Sequence, residues 1–126
     1  WEALAKGFMA VPDLWERVDL EVVNGPDLEL GSEEWRLQRM QRAYCTPDNY
    51  DRRKIANYLA KESGLTLAQI SMLYLLSKGR HVSLLVGADC EKHLDEMAEL
   101  RNYRLDKEAV DFLTKGSVDD WILSYK

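Results

Sequence analysis

The sequence predicts an α/β fold that is mostly helical, with one or two short parallel strands. The prediction rests on the order of elements in the second half of the chain: an apolar helix between Thr66 and Gly79, a nearly continuous apolar run at Val82–Val86, a Gly87-Ala88 turn and another helix after residue 89. This alternating order is typical of α/β chains, and a short apolar run between turn signals indicates a strand covered on both faces.

A covered parallel strand needs hydrogen-bonded neighbours on both edges, because its backbone groups cannot remain unpaired in a protein interior. No second segment of this sequence has an equally convincing strand pattern. We therefore expect the neighbouring strands to come from another part of a larger protein, or from association of the chain with itself or with a partner.

The pattern divides the chain into a loop-rich part, residues 1–31, and a helical part, residues 32–126, with one central strand. At 126 residues, the chain is long enough for a single domain or for part of one. Residues 19–23 alternate weakly in polarity and could form a short strand. The loop-rich part carries turn signals at Gly7, Pro12, Asn24-Gly25-Pro26 and Gly31.

Two helices with clear start signals open the helical part. Ser32 is a capping residue followed by two glutamates, and the helix dipole favours acids in the first turn. Thr46-Pro47 starts the second helix, which we expect to end near Gly64. The predicted buried side of this second helix contains Ile55, Ala56, Tyr58, Leu59 and Ala60.

The later helices are also marked by capping residues. Thr66 and Gln69 form a capping box before an apolar helix that we expect to be buried on several sides and to end at Gly79. Asp89 is predicted to cap a fourth helix, and Asp106 is predicted to cap a fifth. In the fourth helix, the positions predicted to face inward are Leu94, Met97, Ala98 and Leu100. A last amphipathic turn is predicted to begin at Ser117.

Composition excludes several function classes. Lys and Arg number 17 against 22 Asp and Glu, which gives a net charge of −5, so the chain has no overall electrostatic reason to bind nucleic acid or an anionic membrane. No apolar run approaches the length of a membrane span, and the first residues do not have a signal-peptide pattern. Two cysteines make no disulfide framework, which favours a cytoplasmic location. Because residue 1 is Trp, we expect a processed chain or a piece of a longer one.

The Gly87-Ala88 turn and the helix after it form the most suggestive constellation. A glycine after a strand lets a ligand approach the backbone, and the N-terminus of the next helix offers N–H groups and a positive dipole end to a phosphate. A dinucleotide or a sugar phosphate would suit that position. The alternative is an ordinary turn capped by Asp89, whose carboxylate would take the place of the anion. A single glycine turn leaves both interpretations open.

From about Tyr44 to Phe112 the chain resembles the C-terminal part of an aldo-keto reductase, the last two strand–helix units of that family's barrel. The order and spacing of several motifs carry the resemblance over most of the chain, except residues 10–43. In the first half, the similar segments are residues 1–8, like a Ser-Pro-Leu-x-x-Gly-Phe segment after the seventh strand, residues 49–59, like the following helix, and Gly64–Ile70, like Gly-x-Thr-x-Ala-Gln-(Val/Ile). In the second half they are Leu73–Leu76, Leu85–Ala88 with Leu94-x-Glu96, and Leu105-Asp106-x-Glu108, which is like the family's Leu-(Thr/Ser)-x-Glu ending.

The resemblance implies a C-terminal fragment of a TIM-type (β/α)8 barrel that passes a hydride between NADP or NAD and a carbonyl or alcohol substrate, with its site at the carboxyl ends of the strands. The family's catalytic Asp, Tyr, Lys and His belong to the first half of the barrel, and no position here matches them. The chain is therefore not expected to transfer a hydride by itself. The implied cofactor residues are Leu4 and Gly7 near the pyrophosphate, Gly87, Ala88, Asp89 and Cys90 near the adenosine 2′-phosphate, and His93, Glu96 and Met97 near the adenine.

Three departures from the family pattern weaken the implied cofactor contacts. Glu2 replaces a serine, Cys90 stands where a basic partner of the 2′-phosphate is common, and Met97 replaces an asparagine that contacts adenine. Each lost charge-assisted hydrogen bond is worth roughly 1.5–3 kcal/mol. Because Asp89 suits a ribose hydroxyl better than a phosphate, NAD is favoured over NADP. The departures also motivate an alternative, a non-catalytic helical interaction module with an exposed apolar face at 70–76 or along the strand edge.

Other candidate sites have simpler explanations. Cys90 and His93 have a spacing that can hold a metal, but a site needs three or four ligands, so a structural cysteine and a surface histidine are favoured. The basic triplet Arg52-Arg53-Lys54 lacks interleaved aromatic residues, and a solvated helix face paired with nearby acids is preferred over a nucleic-acid patch. Helix packing explains the tyrosines near Lys54 and Lys61 better than catalysis does; these are Tyr44, Tyr50 and Tyr58.

Overall fold

The computed structural model of the chain describes residues 3–10 and 20–116. Five positions discussed above, Trp1, Glu2, Pro12, residue 19 and Ser117, lie outside these ranges. The regular elements within them are a 3-10 turn at Ala5–Gly7, helices α1 (Leu20–Asn24), α2 (Glu33–Tyr44), α3 (Pro47–Ser63), α4 (Leu67–Leu76) and α5 (Glu91–Glu99), a second 3-10 turn at Leu100–Asn102, and helix α6 (Lys107–Lys115).

The start signals of α2, α3, α4 and α6 are confirmed. In each case a capping side chain accepts a hydrogen bond from the backbone N–H three residues later, which satisfies a group that has no partner inside the helix. These bonds are made by Ser32 (3.0 Å), Thr46 (3.3 Å), Thr66 (3.2 Å) and Asp106 (2.7 Å). The predicted stop of α3 is also confirmed, because Gly64 takes the left-handed conformation with φ of 70°.

Helices α3, α4 and α6 enclose the main hydrophobic core, which we call the helical core. Helix α4 also packs on a second cluster, where it meets Leu100 through Met72 and Leu73. It is therefore covered on several sides, as its apolar circumference predicts. The buried residues of the helical core are Ile55, Ala56 and Ala60 of α3, Leu67 and Ile70 of α4, and Phe112 and Leu113 of α6.

Polar side chains of α2 attach the loop that precedes it. Buried Gln38 donates through Nε2 to the carbonyl of Pro26 at 3.0 Å and accepts at Oε1 from the N–H of Leu28 at 3.3 Å. Arg42 donates through Nε to the carbonyl of Val23 at 2.7 Å. Because residues 20–24 form α1, the strand suggested at 19–23 is wrong; alternation over so few residues does not fix a strand period.

The predicted central strand at Val82–Val86 is also wrong. Residues 82–88 have no regular secondary structure, and no β-strand forms anywhere in residues 3–10 or 20–116. A strand needs a paired neighbour, and within the described chain the only backbone bond made by this segment is from the Val82 N–H to the carbonyl of Gly79 at 3.3 Å. Leu85 is consequently 81% exposed. The described part of the chain is helical rather than α/β.

Two predicted helix ends are displaced. Helix α5 begins at Glu91 with Cys90 at the N-cap, rather than with Asp89 there. Helix α4 ends at Leu76, before the predicted stop at Gly79. Both differences are small, because sequence signals locate helix ends only to within a few residues.

The inward face predicted for α5 is half correct. Leu100 is buried and Met97 is half-buried, but Leu94 is 58% exposed and Ala98 is exposed. The apolar spacing predicts a covered helix face, and the described residues cover only one end of it. None of the helices in the described ranges combines the length and the apolar character needed to cross a membrane.

The basic triplet of α3 is not a solvated face. Arg53 is 2% exposed, and its guanidinium carbon lies 5.5 Å from the centre of the Phe8 ring. Arg52 donates through Nε to the carbonyl of Leu113 at 3.1 Å, at the C-terminal end of α6. Lys54 keeps the predicted acid partner, Asp51, at 3.1 Å. Three consecutive residues of a helix point in three directions, so they cannot share one solvated face.

Candidate functional site

Seven of the nine predicted cofactor residues line one cleft. The cleft has a volume of about 940 Å³ and lies between the N-terminal turn (residues 3–10), the connection from α3 to α4, and the start of α5. Ala88 and Cys90 are not among its lining residues, whereas Met97 is. Three segments far apart in the sequence therefore meet at one concave surface. The seven residues are Leu4, Gly7, Gly87, Asp89, His93, Glu96 and Met97.

The N-terminal turn has an unusual left-handed backbone. The φ angles are 49° at Ala5, 55° at Lys6 and 96° at Gly7; glycine accepts such values readily, but alanine and lysine do not. The N–H groups of Gly7 and Met9 both donate to the carbonyl of Leu4, at 3.0 and 3.2 Å. These bonds fix Leu4 and Gly7 at the edge of the cleft.

Gln69 holds α5 against α4 and so shapes the opposite wall. Its Oε1 accepts from the N–H of Thr66 at 2.9 Å, which completes the predicted capping box, and its Nε2 donates to the carbonyl of Glu96 at 2.9 Å. The Thr66 hydroxyl donates to Glu96 Oε2 at 3.4 Å. One buried amide therefore caps α4 and positions the Glu96 carboxylate at the cleft. The sequence predicts the cap but not the contact with a second helix.

The N-terminal end of α5 carries no capping side chain. Cys90 occupies the N-cap with extended backbone, and its thiol makes no hydrogen bond to the described backbone of the first turn. The N–H of Asp89 donates to Nδ1 of His93 at 3.4 Å. Because the first N–H groups of a helix have no acceptor within it, this end of α5 can receive an anion.

Both signs of charge line the cleft. Lys92 Nζ lies 3.7 Å from Glu96 Oε1, and Lys61 and Asp89 also contribute to the lining. The carboxylates of Asp89 and Glu96 offset the charges of the two lysines, so little net positive charge is left for a 2′-phosphate in addition to a pyrophosphate. Carboxylate oxygens can accept hydrogen bonds from ribose hydroxyls. The sequence does not single out Lys61, Thr66 or Lys92, because their place in the lining depends on how the helices pack.

The remaining candidate residues do not join the cleft. Tyr50 packs edge-on against Phe8, with ring centres 5.6 Å apart. Burial, together with a hydrogen bond to Cys45, raises the pKa of Tyr50 to about 12, which is the wrong direction for acid–base catalysis near neutral pH. Among the described residues there is no group of three or more His, Cys, Asp or Glu side chains that could hold a metal ion.

The chain was also compared with known proteins. The model of the aldo/keto reductase family matches residues 13–116. The match therefore includes all of α1 to α6 and also the stretch up to residue 43 that the sequence motifs leave uncovered, whereas Leu4 and Gly7 precede it. Neither a curated protein nor a solved structure matches the chain.

Proposed function

Because the chain belongs to the aldo/keto reductase family, we propose that it forms the cofactor-side C-terminal part of an NAD(P)H-dependent oxidoreductase that acts on carbonyl and alcohol substrates. The family relationship implies a fold derived from the TIM barrel, in which helices surround the strands and the site is built at one end. The observation that carries the proposal is the cleft, because it gathers residues of the N-terminal turn, the loop at 87–89 and the first turns of α5.

The residues of the cleft fit a dinucleotide in size and in the groups they offer. Its volume of about 940 Å³ lies within the usual range of roughly 300–1,000 Å³ for ligand sites. The uncapped N-terminus of α5 would hold a phosphate, and the backbone of Leu4 and Gly7 would lie beside it. Asp89 and Glu96 would accept hydrogen bonds from ribose hydroxyls. When bound, the cofactor supplies or accepts the hydride.

The same charges favour NAD over NADP in this proposal. Lys92 is paired with Glu96 at 3.7 Å, so its charge is already partly neutralised before any ligand arrives. A 2′-phosphate placed near Asp89 would meet a carboxylate without the basic partner that such a phosphate needs.

The proposal does not make this chain competent for hydride transfer by itself, since no position of the sequence matches the catalytic tetrad of the family. The apolar segment Val82–Val86 indicates that the described residues lack a neighbour that would cover it. Leu85 is almost fully exposed, and the backbone of residues 83–88 makes no hydrogen bond to the described backbone. We infer that another part of a larger protein, or a second copy, covers this segment.

Titration of the chain with NADH and with NADPH, followed by nucleotide fluorescence, tests the cofactor proposal. We expect saturable binding of NADH, with NADPH at least about tenfold weaker, which corresponds to about 1.4 kcal/mol. Asp89→Lys should reduce or reverse the difference in affinity between NADH and NADPH, because it replaces the carboxylate by a cation.

The matched control is Asp95→Lys, which makes the same charge change at an exposed position of α5 that does not line the cleft. It should leave the ratio of the two affinities unchanged. The titrations are repeated with the N-terminal half of a barrel of the family added in trans. If neither nucleotide binds in either setting, the cofactor proposal fails and only common ancestry remains.

A second candidate function is a non-catalytic interaction module, and an apolar groove favours it. The groove has a volume of about 810 Å³. Its apolar lining includes Leu76, Val82, Leu84, Val86 and Leu100, and three arginines, Arg80, Arg101 and Arg104, also line it. An exposed apolar surface of this kind is typical of association sites. Sedimentation velocity should then show self-association or association with a partner. A fluorescence titration should show that the chain binds an apolar dye. A strictly monomeric chain that binds no dye would contradict this candidate.

A further inference from the structure

A small apolar pocket lies apart from the cleft, and no described residue lines both. Its volume is about 170 Å³, and its walls include the side chains of Phe8, Ala56, Ile70 and Leu113, all of which are buried. An apolar cavity of about 150 Å³ is large enough to take up a benzene ring. The pocket is therefore large enough for one aromatic ring and too small for a nucleotide.

The polar groups around the pocket bond to one another, which leaves its inner surface almost entirely apolar. Asn49 donates through Nδ2 to the carbonyl of Tyr44 at 2.9 Å, and Arg52 donates through Nη1 to Asn49 Oδ1 at 2.8 Å. Ser71 donates through its hydroxyl to the carbonyl of Leu67 at 2.8 Å. A charged ligand would lose its hydration there without gaining a matching set of hydrogen bonds.

The lining also favours an aromatic ligand over an aliphatic one. Phe8, Tyr44 and Tyr74 are among the lining residues, and aromatic rings pair favourably with one another in edge-on or offset arrangements.

The roof of the pocket is the strained N-terminal turn. Ala3, Ala5 and Phe8 line the pocket, whereas Leu4 and Gly7 of the same turn line the cleft. Ala5 and Lys6 have φ angles of 49° and 55°, which are unfavourable for residues with a side chain. Strained backbone is concentrated at binding sites, and this turn borders both the cleft and the pocket.

We propose that this pocket binds a small uncharged aromatic molecule, a single ring without ionised substituents. Small side chains at Ala3, Ala5 and Ala56 leave the space, and the buried Phe8 ring anchors the roof by packing against Tyr50, with ring centres 5.6 Å apart. The inference does not depend on nucleotide binding in the cleft, since the two sites use different residues.

Fluorobenzene is a suitable probe, and its binding to the full chain can be measured by fluorine NMR. We expect a saturable shift of the fluorine signal, and a rise in the thermal midpoint of unfolding with ligand concentration, because a ligand that binds only the folded state stabilises it. Ala56→Leu fills the pocket and should weaken binding at least about tenfold, which corresponds to about 1.4 kcal/mol. Ala43→Leu makes the same change at an exposed position of α2 and should leave binding unchanged.

A second variant keeps the test decisive if Ala56→Leu does not fold. Ala3→Leu enlarges a half-buried residue of the roof and should also weaken binding without disturbing the core. Benzoate, a charged ring of similar size, should bind more weakly than fluorobenzene. The proposal is overturned by the absence of a saturable shift, by equal binding in a pocket-filling variant and Ala43→Leu, or by benzoate binding as tightly as fluorobenzene.

Discussion

The helical core and the segment from Gly79 to Leu105 are stabilised in different ways. In the helical core, side chains of three capped helices bury one another. In the later segment, α5 is attached through Met97, Leu100 and the amide of Gln69, while Leu85 and Leu94 stay exposed. The contrast teaches that capping residues fix helices locally, whereas the apolar pattern of residues 82–94 indicates contacts beyond those that the described residues supply.

The largest expected difference between the two regions is in the cost of removing an apolar side chain. Ile55→Ala empties a fully buried site of the helical core and should reduce the free energy of unfolding by about 2–5 kcal/mol. Leu85→Ala removes an 81% exposed side chain and should change it by less than about 0.5 kcal/mol. Urea denaturation of both variants measures the difference. Equal losses would mean that residues 82–86 are buried in solution.

The next effect concerns the link between the two regions. Gln69→Ala removes the amide that caps α4 and that donates to the carbonyl of Glu96 at 2.9 Å. The free energy of unfolding should fall by about 1–3 kcal/mol, because buried partners lose their hydrogen bonds.

Hydrogen exchange locates the effect of that substitution. Amide groups of α5 should exchange faster in Gln69→Ala, while those of α3 keep most of their protection. Gln38→Ala is the matched control, because its amide is also buried but bonds to Pro26 and Leu28 instead. If the two variants affect α5 equally, Gln69 does not hold the two regions together.

This contrast also explains which parts of the structure the sequence predicts. Helices α2, α3, α4 and α6 follow from residues that act within one turn, such as Ser32 and Asp106. Residues within one turn do not determine whether 82–86 form a strand, because strand formation depends on a neighbouring strand that the local pattern does not contain.

For the cleft, the resemblance to a family predicts seven residues that lie on one surface, whereas composition and spacing alone suggest only the turn at Gly87-Ala88 and the start of the helix after it. Lys61 and Lys92 could not be found from the sequence. Their contribution depends on the packing of α3 and α5 around the buried Gln69, which is a tertiary contact.

A smaller effect compares two glycines that end helices of the helical core. Gly64 and Gly116 have similar φ angles of 70° and 67°, but a Cβ at Gly116 would lie 3.0 Å from Cγ of Arg52, whereas a Cβ at Gly64 would meet nothing within 4 Å. Both alanine substitutions should destabilise the chain by about 1–2 kcal/mol, because alanine disfavours this conformation.

Gly116→Ala should cost more than Gly64→Ala, because it also displaces the guanidinium that donates to the carbonyls of Leu113 and Thr114 at 3.1 and 3.2 Å. Thermal unfolding of both variants measures the difference. A larger loss for Gly64→Ala would show that Arg52 moves aside without consequence, and that the end of α6 does not need it.

The smallest expected effect is the pH dependence of stability at high pH, where two tyrosines act in opposite directions. Burial and a hydrogen bond to Cys45 raise the pKa of Tyr50 from 10.0 to about 12, so the folded state keeps this proton longer than the unfolded state does. Its stabilising contribution is complete below pH 10 and is lost as the pH rises towards 12. Burial also acts to raise the pKa of Tyr74, but hydrogen bonds to Lys78 and Thr114 outweigh it and hold this pKa below 10.0.

The contribution of Tyr74 to the free energy of unfolding therefore increases as the pH rises through its folded-state pKa. The contribution of Tyr50 decreases at higher pH. Both rings are partly exposed to solvent, so we expect each effect to stay below about 1 kcal/mol. Urea denaturation between about pH 9 and 12 should show a steeper decline in Tyr74→Phe than in the parent chain and a shallower one in Tyr50→Phe. If both variants decline as steeply as the parent chain, the Cys45 and Lys78 contacts do not persist in solution. The reverse order would contradict the direction of the pKa shift at both tyrosines.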